Sequence, residues 1–404
     1  MTWARRIPVV AAALLIAAAS PLRAASIYVS PSGGGDGSAA HPTDLQTALN
    51  TAAASPANDV IYLLQGTYPA AATFTYAARG RDTSSLLVSG GWAAGFAYQA
   101  PSFPALTLLD GQRARRVLKI TATGAGANVT VTLENITVQN GYTSEYAAPL
   151  GDTGSGAGVS ATNINGARLR LVMRWCDVLD NETAHNSSVG GGLYLTCEAA
   201  LRSVNFRRNQ TKYLGGGLYA TFAAPYTQSL APTIDDSWFR ENGAYNTVAA
   251  NYGGAHVFTD VAPVFRRSNF IGKGGGASSG GGAVLSHNGG YPTFRHCYFS
   301  ANVADFYGGA IQFWDGGGEI GGCLFLLNKA GNSGDGAGGA LAMYDPSPDT
   351  PREVTVVNST FVDNVTAGFQ GNGGAIHNRV SALAVANSVS GTTGRRRTRE
   401  GAMP

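Results

Sequence analysis

Asp235 and Asp236 stand side by side in "IDDSWFREN" (234–242), and Arg266 and Arg267 stand side by side in "FRRSNF" (265–270). Adjacent carboxylates on one face could gather Ca²⁺ or carry a proton, and a basic neighbour could accept one. Lys212 and Lys273 are further candidate bases. No further acid repeats in the register of Asp235 and Asp236, so a solvated turn with offsetting charges accounts for the same residues.

A second set is periodic. Arg174, Arg202, Asp235, Arg266 and Arg295 each stand four positions before an apolar residue of a recurring motif, and Gly321 and Val357 follow in the same place. If these arginines share a solvent face, they form a basic stripe suited to an acidic glycan. Arginines that cover a corner and bond backbone carbonyls are the alternative. Trp238 and Tyr298 each precede a motif Phe and are expected to point outward, where sugar stacking is conceivable. Tyr194, Tyr219 and Trp314 are further aromatics of the same region. Cys176, Cys297 and Cys323 share one motif position; Cys297 and Cys323 are close enough for a disulfide, and free thiols filling a narrow interior explain them equally. No cysteine or histidine spacing fits a metal site. The six histidines are dispersed and read as turn or surface residues. "GKGGGASSGGGA" (272–283) lacks the Gly-Lys-Ser/Thr order of a phosphate loop.

What positions these residues is a repeat. "CDVLDN" (176–181), "VNFRRN" (204–209), "SWFREN" (237–242), "CYFSAN" (297–302), "CLFLLN" (323–328) and "STFVDN" (359–364) share one pattern. "SNFIGK" (268–273) is a weaker copy with Lys273 in the Asn position. The apolar positions Val178, Phe206, Phe239, Phe270, Phe299, Phe325 and Phe361 recur every 26 to 36 residues. Between the copies runs a Gly-Gly motif: "GGLY" (191–194 and 216–219), "GGAH" (253–256), "GGAV" (281–284), "GGAI" (308–311), "GGAL" (338–341) and "GGAI" (373–376). Short segments with apolar residues at alternate positions suit strands. Two strands and a variable third segment fit one coil of about 30 residues, and stacking coils brings matching residues ~4.8 Å apart. The spacing therefore predicts a parallel β-helix with an inward Phe stack. Asn181, Asn209, Asn242, Asn302, Asn328 and Asn364 are expected as a turn ladder, left-handed and bonded from coil to coil.

Charged residues make up 13% of the chain, and 55 residues are Gly, a balance that suits a turn-rich β-protein. Arg5 and Arg6, the apolar run from Ile7 to Ala19 and small residues near Ala24 have the layout of a secretory signal. Its removal leaves a near-neutral chain, which argues against general nucleic-acid binding. No later stretch is apolar enough to span a bilayer.

The "GGAI" and "FxxN" repeats resemble those of chlamydial polymorphic outer-membrane proteins, and more broadly secreted right-handed β-helix proteins of the pectin-lyase-like superfamily. "IYVSPSGGGDGS" (27–38), "TDLQTALNTAA" (43–53) and "DVIYLLQGTY" (59–68) look like the broader group's cap and first coils. In the second of these, Leu45, Ala48, Leu49 and Ala52 share one helix face and Asp44 is a plausible cap. The expectation is thus an all-β, right-handed parallel β-helix with a short N-terminal capping helix. Its divisions are a signal at 1–24, a cap and first coils at 25–115, repeats at 116–389, and a disordered tail at 390–404.

The resemblance implies a secreted or cell-surface, outer-membrane-associated scaffold, non-catalytic, for adhesion to a cell-surface partner or a glycan. It needs no cofactor or metal. The alternative it implies is a polysaccharide lyase or glycoside hydrolase acting on an acidic polysaccharide through Asp235, Asp236, Arg266 and Arg267, with Ca²⁺ under the lyase form only. The basic end "GRRRTREGAMP" (394–404) follows Ser390, which falls where an apolar residue is due. With one choice of codons, reading 390–394 one base earlier gives Leu-Trp-Asp-Asn-Arg, completing an "NSxLWxN" run like that of similar β-helix proteins. The tail is therefore expected to be out-of-frame sequence, with a surface anchor lost beyond a frameshift near Val389.

Overall fold

The computed structural model describes residues 24–395, except positions 81, 186 and 228 and segments 145–153, 245–255, 273–279, 332–335, 345–351, 368–370, 380–381 and 392–393. The predicted signal, Lys273 and residues 396–404 of the tail lie outside the described residues.

The chain is a parallel β-helix. In one coil, Thr233–Asp235 and Trp238–Arg240 form two arms of a long sheet, Gly243–Ala244 adds a two-residue strand, and Val257–Thr259 lies in a second sheet. The next coil repeats the path, and each arm pairs in parallel and in register with its copy. The second sheet has ten strands, from Phe74–Arg79 to Ile376–Arg379.

The arms meet at a corner that one left-handed residue makes in each coil. In Arg168–Leu179, Leu169, Leu171 and Met173 point inward at alternate positions, and Cys176 and Val178 resume the inward set after a phase slip. Trp175 absorbs the slip with φ of 50°. Ser203, Asp236, Arg267 and His296 do the same in later coils, with φ of 48° to 55°. The slip leaves two consecutive residues outside the barrel, which is why Asp235 and Asp236, and likewise Arg266 and Arg267, are both outward.

Inside, Phe206, Phe239, Phe270, Phe299, Phe325 and Phe361 form one continuous stack. Successive ring centroids are 4.6 to 4.9 Å apart with interplanar angles of 2° to 6°. That distance is the strand spacing itself, so the backbone ladder sets the offset stack. Phe265 and Phe294 add a second inner pair, edge-on to the first stack. Cys176, Cys197, Cys297 and Cys323 are all buried free thiols. In the narrow row beside the stack, the Ser237 hydroxyl accepts from the Val204 N–H at 3.2 Å, and the Cys323 sulfur accepts from the Cys297 N–H at 3.4 Å.

At the Gly-Gly motif the coils touch backbone to backbone. Gly281 is left-handed (φ 68°), and a Cβ on Gly282 would run into the Gly309 carbonyl of the next coil. At the N-terminal end, a helix (α1, Leu45–Ala54) is capped by Asp44, whose carboxylate accepts from the Thr47 N–H at 2.9 Å. Leu45, Ala48, Leu49 and Ala52 of α1 are buried in the core.

Two expectations change. The ladder asparagines are not themselves left-handed; the residue before each one is, from Asp180 and Arg208 to Leu327 and Asp363, with φ of 51° to 58°. The turn is made one position early, which swings the asparagine side chain inward. The segment expected to be disordered from 390 also begins as strand. Val389–Gly391 pairs with Thr360–Val362, and Gly394–Arg395 with Val365–Thr366, because the preceding coil presents ladder groups that any backbone in register can pair.

Candidate functional site

The predicted arginine row exists as geometry and not as a basic stripe. The register runs Glu134, Arg174, Arg202, Asp235, Arg266, Arg295 along the outer edge of the first arm. Arg174 binds Glu134 at 2.9 Å, Arg266 binds Asp235 at 3.1 Å, and Arg295 binds Glu319 at 2.8 Å. Arg202 is the loosest, 71% exposed in its side chain and 3.9 Å from Asp236. Acids from neighbouring coils offset the row, and a stripe of unbalanced charge suited to a polyanion is not formed.

The same pairing takes up the alternative catalytic set. Arg267 donates to both oxygens of Asp236, at 2.7 and 2.9 Å, and this holds the Asp236 carboxyl below its usual range. Asp235 faces Arg266 instead. The four residues are therefore two ion pairs stacked across one coil step, each guanidinium facing a carboxylate. Among the described residues, no three His, Cys, Asp or Glu side chains come together as a metal site.

Asn181, Asn209, Asn242, Asn302, Asn328 and Asn364 are fully buried and joined head to tail. Each amide nitrogen donates to the next amide oxygen at 2.9 to 3.0 Å, except across the coil in which Lys273 replaces Asn. There His256 fills the gap. Its Nδ1 lies 3.2 Å from Asn242 Nδ2 and its Nε2 lies 3.1 Å from Asn302 Oδ1. The donors all point one way along the chain, so the ring must accept at Nδ1 and donate from Nε2. Burial lowers the His256 pKa to about 4. The expectation of a surface or turn histidine is thus corrected. The missing Asn at Lys273, with a polar His in the apolar place of "GGAH", was the available signal.

Beside the arginine row lies a cleft of about 460 Å³. It is built from three successive coils, each contributing its corner residue and the residue two further on. The pairs are Trp175 and Asp177, Ser203 and Asn205, then Asp236 and Trp238. The register aligns Asp177 with Asn205 and Asn205 with Trp238. The two indoles thus occupy opposite corners of a three-by-two grid, the two carboxylates hold the other corners, and the middle coil is low. Trp175 and Trp238 are 39% and 46% exposed, high for large apolar rings. Ser102 and Pro104 line the cleft from the segment before Thr107–Asp110, and Phe103 between them is 63% exposed.

The carboxylates differ in environment. Burial raises the Asp177 carboxyl above its usual range, with a hydrogen bond from Asn205 opposing the shift, while Arg267 holds Asp236 low. Sequence reasoning placed Trp238 outward and missed Trp175, Asp177 and Asn205, because outward residues obey no repeat. Tyr298 follows on the same row as Trp238, two coils on. Tyr194 and Tyr219 stack at 5.7 Å on the outside of the ten-stranded sheet, and Trp314 packs on Tyr344 at 4.4 Å.

No family model and no curated protein matches the sequence. Among solved structures, the chain is similar to Escherichia coli YbhC, with 11% identity over 96% of this chain and 88% of that one and a TM-score of 0.36. A mannuronic acid specific polysaccharide family 6 lyase from human gut microbiota gives 11% identity, 89% and 82% coverage and a TM-score of 0.33. The pectin methylesterase from Aspergillus niger gives 13%, 94% and 92%, and 0.31.

Proposed function

We propose that the protein is a secreted or cell-surface β-helix scaffold, without catalytic activity, that binds a glycan in the corner cleft. The observation that carries this reading is the pair of half-exposed indoles, Trp175 and Trp238, flanking a polar depression. Indole faces offer flat apolar area to the C–H face of a sugar ring, and Asp177, Asn205 and Asp236 offer partners for its hydroxyls. Secretion rests on the charged, apolar and small layout of residues 1–24, and display on the cell surface rests on the repeat resemblance.

The test is a titration of the full chain with neutral and acidic polysaccharides, followed by calorimetry. A saturable change with at least one glycan is expected, and its loss when Trp175 and Trp238 are both replaced by Ala. A flat response to every glycan would reject the reading. N-terminal sequencing of exported protein should find a start near Ala24.

One observation favours a second reading. Two carboxylates of opposite proton affinity line one cleft, the arrangement that acid–base hydrolysis of a glycosidic bond uses. Under the primary reading, no new reducing ends appear on incubation with a bound glycan. Their release, abolished by Asp177→Asn, would convert the scaffold into a hydrolase.

A further inference from the structure

The cleft has a direction. Its two rows, Trp175–Ser203–Asp236 and Asp177–Asn205–Trp238, run along the helix axis, one residue per coil in each row. Coils repeat at the strand spacing, so the indoles stand two steps, or ~10 Å, apart along the axis. A ligand lying across the axis would meet one coil, and so only one of the two tryptophans. A ligand lying along it meets both, and passes over Ser203 and Asn205, whose small side chains form the floor between them.

The cleft also has a length. On its N-terminal side the same two positions are Asn135 and Thr137, and both are buried. Asn135 is covered by Gly90 and Ala100, whose carbonyls accept from its amide nitrogen. On its C-terminal side stand Arg267, committed to Asp236, and Asn269. The residues that line the cleft thus come from three successive coils. A sugar ring in an extended chain is close in length to one coil step.

The cleft has a charge preference as well. The ionisable groups that line it, Asp177 and Asp236, are both acids, and Arg267 and Arg202 face Asp236. A chain bearing a carboxylate or sulfate on every unit would meet these acids. A chain of neutral hydroxyl-bearing units would find acceptors there.

Resting on the glycan-binding reading above, we infer that the ligand is a neutral, extended pyranose chain laid parallel to the helix axis, one sugar per coil, with its first and third units stacked on Trp175 and Trp238. Direct affinity is set by the three-unit span. Two units reach one indole only, and units beyond three gain little.

The experiment is calorimetry on the full chain with cello-, manno- and xylo-oligosaccharides of two, three, four and six units, and with oligogalacturonates of the same lengths. For at least one neutral series, affinity should rise about tenfold from two units to three and then level, an indole face contributing on that order. Trp175→Ala and Trp238→Ala should each remove that step and make three units equal to two. Both side chains are at the surface, and unchanged thermal unfolding midpoints would show that the variants fold. A neutral series that binds with no step at three units, or a step that survives either substitution, overturns the axial register and leaves glycan binding standing. Tighter binding of oligogalacturonates overturns the neutral class alone. Failure of every series, neutral and acidic, overturns this inference together with the glycan-binding reading.

Discussion

His256 Nε2 lies 3.1 Å from Asn302 Oδ1, and this contact carries a buried amide ladder across the one coil in which the ladder residue is absent. The other ring nitrogen faces Asn242 at 3.2 Å, so a single neutral imidazole stands in for the missing rung. Replacing His256 by Ala leaves two buried amides short of a partner and opens space between coils. Each lost partner costs about 1–3 kcal/mol, so a loss of at least ~2 kcal/mol is expected before the cavity adds to it, read as a lowered denaturant midpoint. An unchanged midpoint would show that the ring is not a rung.

The same residue makes stability sensitive to acid. His256 titrates at about 4 in the folded chain, against about 6.5 when unfolded. Between those values the unfolded chain holds the extra proton, so stability contributed by the neutral ring is complete above pH 6.5 and declines as pH falls towards 4. Asp260 works in the opposite sense, because burial raises its pKa to about 6 and the folded chain keeps that proton longer. Comparison with His256→Asn isolates the histidine. The stability difference between the two proteins should change by on the order of 3 kcal/mol from pH 7 to pH 4, in the direction that disfavours the histidine at low pH. Parallel pH profiles would contradict the buried neutral ring.

Neutralising Arg174, Arg266 and Arg295 together with the acids they face, Glu134, Asp235 and Glu319, should leave retention on immobilised polygalacturonate nearly unchanged. Each of these arginines faces its carboxylate within 3.1 Å, so no net charge is removed. The stability change should stay below about 1 kcal/mol per pair, since these pairs are partly exposed and screened. A large loss of retention would restore the basic stripe as a binding surface.

Phe270 sits mid-stack, 4.9 Å from Phe239 and 4.6 Å from Phe299. Phe270→Ala should cost about 3–5 kcal/mol, the range for an aromatic ring removed from a close-packed core. Phe270→Leu should cost clearly less, because it keeps apolar volume, and equal losses for the two would mean that the stacked ring rather than the volume it fills is what the position contributes.

Ser390 pairs with Phe361 in the register of that stack. Ser390→Phe would place a further ring one strand spacing beyond Phe361. A gain of about 1 kcal/mol, within the range of an added aromatic pair, should appear as a higher unfolding midpoint. A lower midpoint would show that the last coil does not continue the stack.

How much of this was legible beforehand follows from which side of the wall a residue occupies. Inward positions such as Phe239, Ser237 and Asn242 meet their own copies one coil away, so the same residue types must recur at the coil length. That recurrence is visible in the sequence and by itself determines the parallel coils, the Phe stack and the places of the arginines. Outward positions meet solvent and carry no such constraint. Trp175 and Trp238 come together only because a left-handed corner residue shifts the strand phase and two coils of unequal length close in register. The offsets of the arginine row depend on Glu134 and Glu319, which belong to no motif, and the His256 rung depends on a ring that meets Asn302, 46 residues on. Periodicity records what stacks on itself. Charge balance, the bridged ladder and the cleft join unlike residues from different coils, and only the tertiary structure decides those.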